Sequence, residues 1–369
     1  MPASQAQSDP IEPGEGDDSP RSPRRLLSAV LQLVGFALCV GLLVWVILIA
    51  LKPENREQLQ KLSEATAGQL FLLFALTAAT ITLNGIVFWA LIREVKPLKI
   101  LDVVAVNGIA TCLSYVPFKM SLVSRIAIHN KRDKLPVATI GAWIIADAGT
   151  IVATLAPIFA VSVWRKQIDA VWVLLAIVGV LGANAALIFA GRLLEGEAGL
   201  GRIRKVLSLA NMHKLADNPR FGQAHLGMTM LAKFHAIGLS MLFRLGDITV
   251  LAARFLVAAA VLDLDLSIEH AILLGSTFFV VGVMSPFGEA GLREAGTIKL
   301  AALVGIAAAG AAGGVAGGAG GGTEGSDADP IVVLTLFVSA TELVVRIVAG
   351  VFSVVWLRAD KLIAPKGNR

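Results

Sequence analysis

Along this chain, long apolar runs alternate with short polar segments that are often basic, and within the runs the apolar residues are continuous rather than spaced every second position. Runs of about 20 apolar residues suit a helix crossing a hydrocarbon core of about 30 Å; a membrane β-barrel would show segments of about ten with a period of two. Six runs are clear: residues 26–51, 70–92, 137–163, 171–190, 245–262 and 331–357. Two others are too short to cross. The segment 103–116 stops at Pro117-Phe118 and leads into a basic stretch ending at Lys134, and 271–284 stops at Pro286-Phe287 before a second apolar run, 295–309. Each reads as a broken or re-entrant helical hairpin, and irregular backbone at membrane depth survives only where protein or a cavity surrounds it. The pattern predicts an all-α polytopic membrane protein of about six full transmembrane helices and two such hairpins, with the breaks marking a site.

The segments between the runs set the expected topology. Residues 1–25 are rich in Ser, Pro, Gly and acids and close with Arg21, Arg24 and Arg25, so they read as a disordered cytoplasmic tail. The run at 26–51 is too long for a signal-peptide core and is expected to stay as the first span. With the N-terminus inside, 21 Lys and Arg fall on the cytoplasmic side and five outside, the bias that orients inner-membrane proteins. Both termini are then cytoplasmic, 358–369 forms a second tail, and the hairpins enter from opposite faces. Residues 221–244, with Lys233, His235 and Arg244 among apolar positions, read as an interfacial amphipathic helix or else as a span of their own. The Gly/Ala-rich stretch in the outer loop 310–330 reads as a flexible linker, because a phosphate-cradling loop needs a strand-to-helix context and usually a Lys.

Composition agrees. Hydrophobic residues make up 56% of the 369 and charged ones 16%, against about 25% charged in a soluble domain. The net charge of +5 is explained by orientation, so no nucleic-acid partner is expected. Cys39 and Cys112 both lie in apolar runs, and the five histidines lack metal-ligand spacing. No zinc-hydrolase, serine-hydrolase or nucleotide-binding motif occurs. Neither a cofactor nor catalysis by this chain alone is expected.

The remaining chemistry concentrates at the hairpins. In both, an apolar arm ends at Pro-Phe and a cation follows about two turns later, Arg125 in the first and Arg293 in the second, which suggests an inverted repeat with a site near the midplane. The run Ser285-Pro-Phe-Gly-Glu-Ala-Gly-Leu-Arg-Glu-Ala295 is the densest signal. Gly288 and Gly291 permit a tight turn, and Glu289, Arg293 and Glu294 place three charges in apolar surroundings, where ionisable groups are costly. Arg293 either acts on a ligand or pairs with Glu289 at i,i+4 to pin the turn. Asp147, in the third span, must pair or be protonated, with Arg254 or Arg346 as candidate partners. Glu342 and Arg346 have the spacing of a structural pair. Lys119 and Arg125 either attract a phosphate head group or serve as topological anchors.

Pro117, Arg125, Pro286, Gly288, Gly291, Glu294 and Arg346 together resemble the transmembrane family named for the flippase part of lysylphosphatidylglycerol synthases. That family carries a Pro…Gly-Glu…Arg element early, a Pro…Gly-Gly-x-Gly…Glu element late and an Arg in its last span. The chain departs from it at Met120-Ser121 and at Glu289-Ala290. The resemblance, over roughly residues 30–360, implies a flippase-like domain of the cytoplasmic membrane, here 26–357, acting on a membrane phospholipid or lipid-linked sugar. An anionic or aminoacylated head group would lie between the hairpins, on Arg125 and Arg293, with Asp147, Glu289 and Glu294 balancing the cations. The alternatives are a non-catalytic subunit or scaffold for a separate lipid-modifying synthase or glycosyltransferase, or acid/base work by Glu289 and Glu294 on a lipid-linked sugar.

Overall fold

The computed structural model describes residues 23–116, 119–165, 167–209, 225, 228–285, 289–304, 306 and 330–358. Among the described residues the regular structure is helical, without a strand. Six helices among the described residues are long and apolar enough to cross a membrane: α1 (Pro23–Ala50), α3 (Ala67–Ile92), α6 (Val137–Arg165), α7 (Ala170–Leu194), α9 (Phe234–Val261) and α12 (Pro330–Leu357). Four shorter helices form the two expected hairpins, α4 (Ile100–Cys112) with α5 (Met120–Lys131) and α10 (Ile268–Met284) with α11 (Leu292–Val304). The chain is an all-α polytopic membrane protein. Between the spans lie two helices that the apolar pattern does not show, α2 (Arg56–Ser63) and α8 (Gly196–Leu209).

One expectation needs correcting. The fifth span does not begin near residue 245 after an interfacial helix: α9 runs unbroken from Phe234, which puts Arg244 in the bundle interior with 1% of its surface exposed. A window of sequence registers the charge of Arg244 as polar, whereas in the fold that charge is matched by Asp147 of α6 and Asp247 of its own helix. The first arm returns as a helix, as the hairpin reading expects, and that helix buries Arg125 and His129. The tail 1–25, except Pro23, Arg24 and Arg25 in α1, and the linker 310–330, except Pro330 at the start of α12, lie outside the described residues, as does 359–369.

Capping explains several helix starts. Thr66 opens α3 with a reciprocal box: its hydroxyl accepts from the Gln69 backbone N–H (3.3 Å), and its own N–H donates to the Gln69 side chain (2.9 Å). At α10 the Ser267 hydroxyl accepts from the His270 N–H (3.3 Å). At α7, the Asp169 carboxylate accepts from the Trp172 N–H at 2.7 Å, a contact that, with Arg165 beside it, holds its pKa below the usual carboxylate value. A carboxylate held low in the folded state stabilises at neutral pH and loses that contribution as pH falls through its folded pKa. The first turn of α7 is expected to fray below about pH 4. Hydrogen exchange of residues 170–173 checks this, with Asp169→Ala frayed at both neutral and acid pH.

The helices pack so that the hairpins face each other. Arg132 at the end of α5 donates to Asp102 in the first turn of α4 (2.7 Å), and the Trp356 indole at the end of α12 donates to the same acid (3.2 Å), so these three termini share one end of the bundle. At the other end, the Ile168 N–H between α6 and α7 donates to Glu269 in the first turn of α10 (3.0 Å). The two hairpins therefore enter from opposite ends and point their tips at one another. One apolar core, around Val46, Phe255, Phe278 and Leu334, supports the α10–α11 hairpin, and another, around Leu91, Ile140 and Trp143, supports the α4–α5 hairpin. Helices α6, α9 and α12 are the central ones, with 44%, 44% and 50% of their apolar windows buried, whereas α1 and α7 lie at the rim with 22% and 17%. The exposed side chains at the rim, including Trp45, Phe71 and Val178, are what lipid contact requires.

Candidate functional site

Between the hairpin tips lies a cavity of about 280 Å3, walled by α3, α4, α5, α6, α9, α10, α11 and α12. At roughly 30 Å3 per water it is large enough for a phosphate-sized head group and several waters. Helix α4 ends in a single 3-10 turn, Leu113–Tyr115, that carries Ser114 and Tyr115 to the tip. Just beyond, Lys119 holds a left-handed backbone (φ 49°) at the start of α5. A non-glycine residue pays for that conformation, and such strain concentrates at functional positions.

Three guanidiniums and three carboxylates interlock where the tips meet. Glu342 on α12 is the hub: Arg254 from α9 donates to one oxygen (2.6 Å), Arg293 from α11 to the other (2.9 Å), and Arg346 one turn along α12 also contacts it. Arg293 in turn contacts Glu294 (3.1 Å) and Glu289 (3.5 Å), and Arg346 pairs with Glu289. Contacts to the opposite hairpin complete the knot: Arg293 donates to the Tyr115 hydroxyl (3.2 Å) and Arg346 to Ser114 Oγ (2.6 Å). Glu294 accepts from the Ser339 hydroxyl and the Gly291 N–H, both at 2.6 Å, which fixes the turn into α11. Buried charges are tolerable only when paired and hydrogen-bonded, and here three positive and three negative groups balance.

A second polar group lies deeper toward α3 and α6. Arg244 donates to Asp147 (2.6 Å) and to the Asn84 carbonyl, and it stands 3.7 Å from Asp247. The Asn84 amide nitrogen donates to Asp247 (2.9 Å). Arg125 differs from the other buried arginines. Its guanidinium lies over the Phe88 ring (3.8 Å) and donates one hydrogen bond to the Asn107 carbonyl (2.8 Å), while its Nη1 is buried without a partner. Among the described residues no carboxylate comes within ion-pair distance of it; Asp147 acts on it only from farther away.

Four lining residues, Val116, Lys119, Ala148 and Val283, are themselves exposed and mark the mouth. Three are apolar, so the mouth is a lateral opening beside α6 with one lysine at its rim. Comparison with family models, curated proteins and solved structures finds no match to this chain.

The structure gathers six of the seven charged candidates, Lys119, Arg125, Asp147, Glu289, Arg293 and Arg346, on the wall of this one cavity. Glu294 stands behind Arg293 and does not line it. Pro117, Pro286 and Gly288 lie outside the described residues, and Gly291 carries the expected positive φ of 82°. Asp147 pairs with Arg244 rather than with Arg254 or Arg346, because α9 brings Arg244 opposite it while the other two are drawn to Glu342. The expected Glu342–Arg346 pair is present as part of a larger knot. Sequence reasoning missed Asp247, Asn84, Asn107 and Tyr115. A usable signal existed for two of these: Arg244 and Asp247 at i,i+3 within an apolar helix, and the only tyrosine of the chain two residues before the first hairpin break.

Proposed function

We propose that the chain is a flippase-like translocase of the cytoplasmic membrane, with both termini inside, that takes the phosphate of an amphipathic lipid onto Arg125 and Lys119. The observation that carries this reading is a buried guanidinium with an unused donor, facing a cavity whose mouth is apolar and lateral. A head group can reach Arg125 through such a mouth while the acyl chains stay in the bilayer. Arg matches phosphate with paired donors, and a hydrogen bond to a charged group is worth about 1.5–3 kcal/mol. In this reading Arg293 is a positioning residue rather than a phosphate ligand: its donors are taken by Glu342, Glu294, Glu289 and Tyr115. The two hairpins of opposite entry and the resemblance in their motifs support rocking of one against the other as the transport step.

Phospholipids and lipid-linked sugars share the phosphate. Mass spectrometry of co-purifying lipids identifies which is held. Wild-type protein is expected to enrich one phosphate-bearing class, and Arg125→Ala to reduce that enrichment roughly tenfold or more, as loss of about 1.5–3 kcal/mol implies. Bulk lipid in both samples would overturn the reading and favour a scaffold for a separate synthase or glycosyltransferase.

A further inference from the structure

We propose that Asp247 is a proton site linked to the anion site, so that the lipid phosphate enters the cavity together with a proton. The inference rests on the anion site proposed above and adds what drives it.

Asp247 is 2% exposed and sits where two carboxylates share one cation. Asp147, on the cavity wall, has the close contact with Arg244 at 2.6 Å; Asp247, behind it, is left at 3.7 Å. The second guanidinium nitrogen of Arg244 is committed to Asn84, which supplies Asp247 with its one hydrogen bond, at Oδ2. Oδ1 of Asp247 is buried with no partner. The Thr80 hydroxyl on α3 is also buried without a close partner; turned as a donor it favours the carboxylate, and turned about its Cβ–Oγ1 bond it accepts from a proton carried at Oδ1.

The other neighbours do not change that balance. Helix α9 itself adds Arg254, which α12 engages through Glu342. Helices α7 and α10 carry titratable residues only near their ends. From α5 comes Arg125, the cation proposed to receive the anion. With all groups ionised, Arg125 and Arg244 balance Asp147 and Asp247. A phosphate on Arg125 adds one negative charge to a buried and otherwise neutral set; Lys119, exposed to water at the mouth, is screened and offsets little of it, and burial makes an uncompensated charge expensive. Neutralisation falls on the carboxyl with the weakest cation contact and a free oxygen, which is Asp247. A proton from the medium forms an O–H bond at Oδ1, and net charge is restored. Binding is reciprocal, so the proton favours the anion as much as the anion favours the proton. A transmembrane proton gradient then becomes the driving force for lipid movement.

The test uses the full chain in detergent and a water-soluble probe, dihexanoyl phosphatidylglycerol. Calorimetric titration near neutral pH in two buffers of different ionisation heat counts protons taken up per lipid bound. Wild-type protein is expected to take up as much as about one proton per lipid, and its affinity to weaken by as much as about tenfold per pH unit on the alkaline side. Asp247→Asn is expected to bind the probe with no uptake and a flat pH profile, and Asp247→Glu to keep the uptake. Binding by wild-type protein without proton uptake, while Arg125→Ala abolishes binding, overturns the proton site and leaves the anion site standing. Uptake that survives in Asp247→Asn also overturns it. Absence of probe binding, or binding that Arg125→Ala does not weaken, removes the anion site and the proton link with it. If Asp247→Asn does not fold, infrared difference spectra of wild-type protein with and without lipid decide: a new protonated-carboxyl band supports the proposal, and its absence overturns it.

Discussion

Glu342→Ala is expected to unfold the bundle at temperatures the wild-type protein withstands, because it strands three buried arginines at once. Arg254, Arg293 and Arg346 all contact this one carboxylate, and two of them are only 1% exposed. Removing one partner from a buried ion pair typically costs about 3–5 kcal/mol, since the remaining charge keeps its desolvation penalty without its attraction. Glu289 and Glu294 soften the loss for Arg293 and Arg346 but not for Arg254, which keeps a long hydrogen bond, 3.5 Å, to the Val338 carbonyl. Glu342→Gln keeps the shape and one acceptor and is expected to fall between. The control is Lys61→Ala, which breaks pairs with Glu57 and Asp263 whose acids are 75% exposed; solvent screening leaves surface pairs of that kind contributing little. Gel filtration of detergent extracts after a temperature series reads all three variants. A Glu342→Ala protein as heat-resistant as Lys61→Ala would show that the knot is not what holds the hairpins together.

The same knot shows where sequence stops being informative. The spans were legible because a bilayer imposes a length and an apolarity that few soluble sequences match, and the hairpins were legible because proline ends an apolar run too short to cross. Charge inside those runs identified Arg125, Asp147, Glu289, Arg293 and Arg346 as unusual, and all five line one cavity. Partner choice was not legible. Arg293 has an acid four residues away, yet its closer contacts are Glu294 and Glu342, the latter 49 positions along the chain. Asp147 finds Arg244 at a separation of 97. Such pairings depend on which helices adjoin, and apolar periodicity says little about that in lipid, where outward and inward faces are both apolar. Asp247 escaped although it lies inside the expected fifth run, 245–262: Arg244, three residues before it, falls in the segment read as interfacial, so the two do not register as neighbours within one span.

The turn of the second hairpin predicts the other large effect. Gly291 has φ 82°, a conformation that costs any residue with a Cβ about 1–2 kcal/mol. Added to that is space: a Cβ there would overlap the Cys39 carbonyl oxygen and reach 2.8 Å from the Leu43 nitrogen, so α1 lies directly on this turn. Relief requires α1 to move away or the turn to unwind, and unwinding breaks the 2.6 Å hydrogen bond from Gly291 to Glu294 that orients the start of α11. Overpacking of this kind adds about 1–3 kcal/mol. Gly291→Ala is therefore expected to lower thermal stability by several kcal/mol, while Gly41→Ala, on the exposed side of α1 with nothing within 4 Å, stays close to wild type. Cys39 reports the direction of the movement. It is 4% exposed, and in a Cys112→Ser background a small maleimide is expected to label it far faster in Gly291→Ala than in the parent. Fast labelling means that α1 has lifted off the turn. Unchanged labelling with lost stability means instead that the turn has given way, and then Arg293 and Glu294 lose the backbone that aims them at Tyr115 and Ser339.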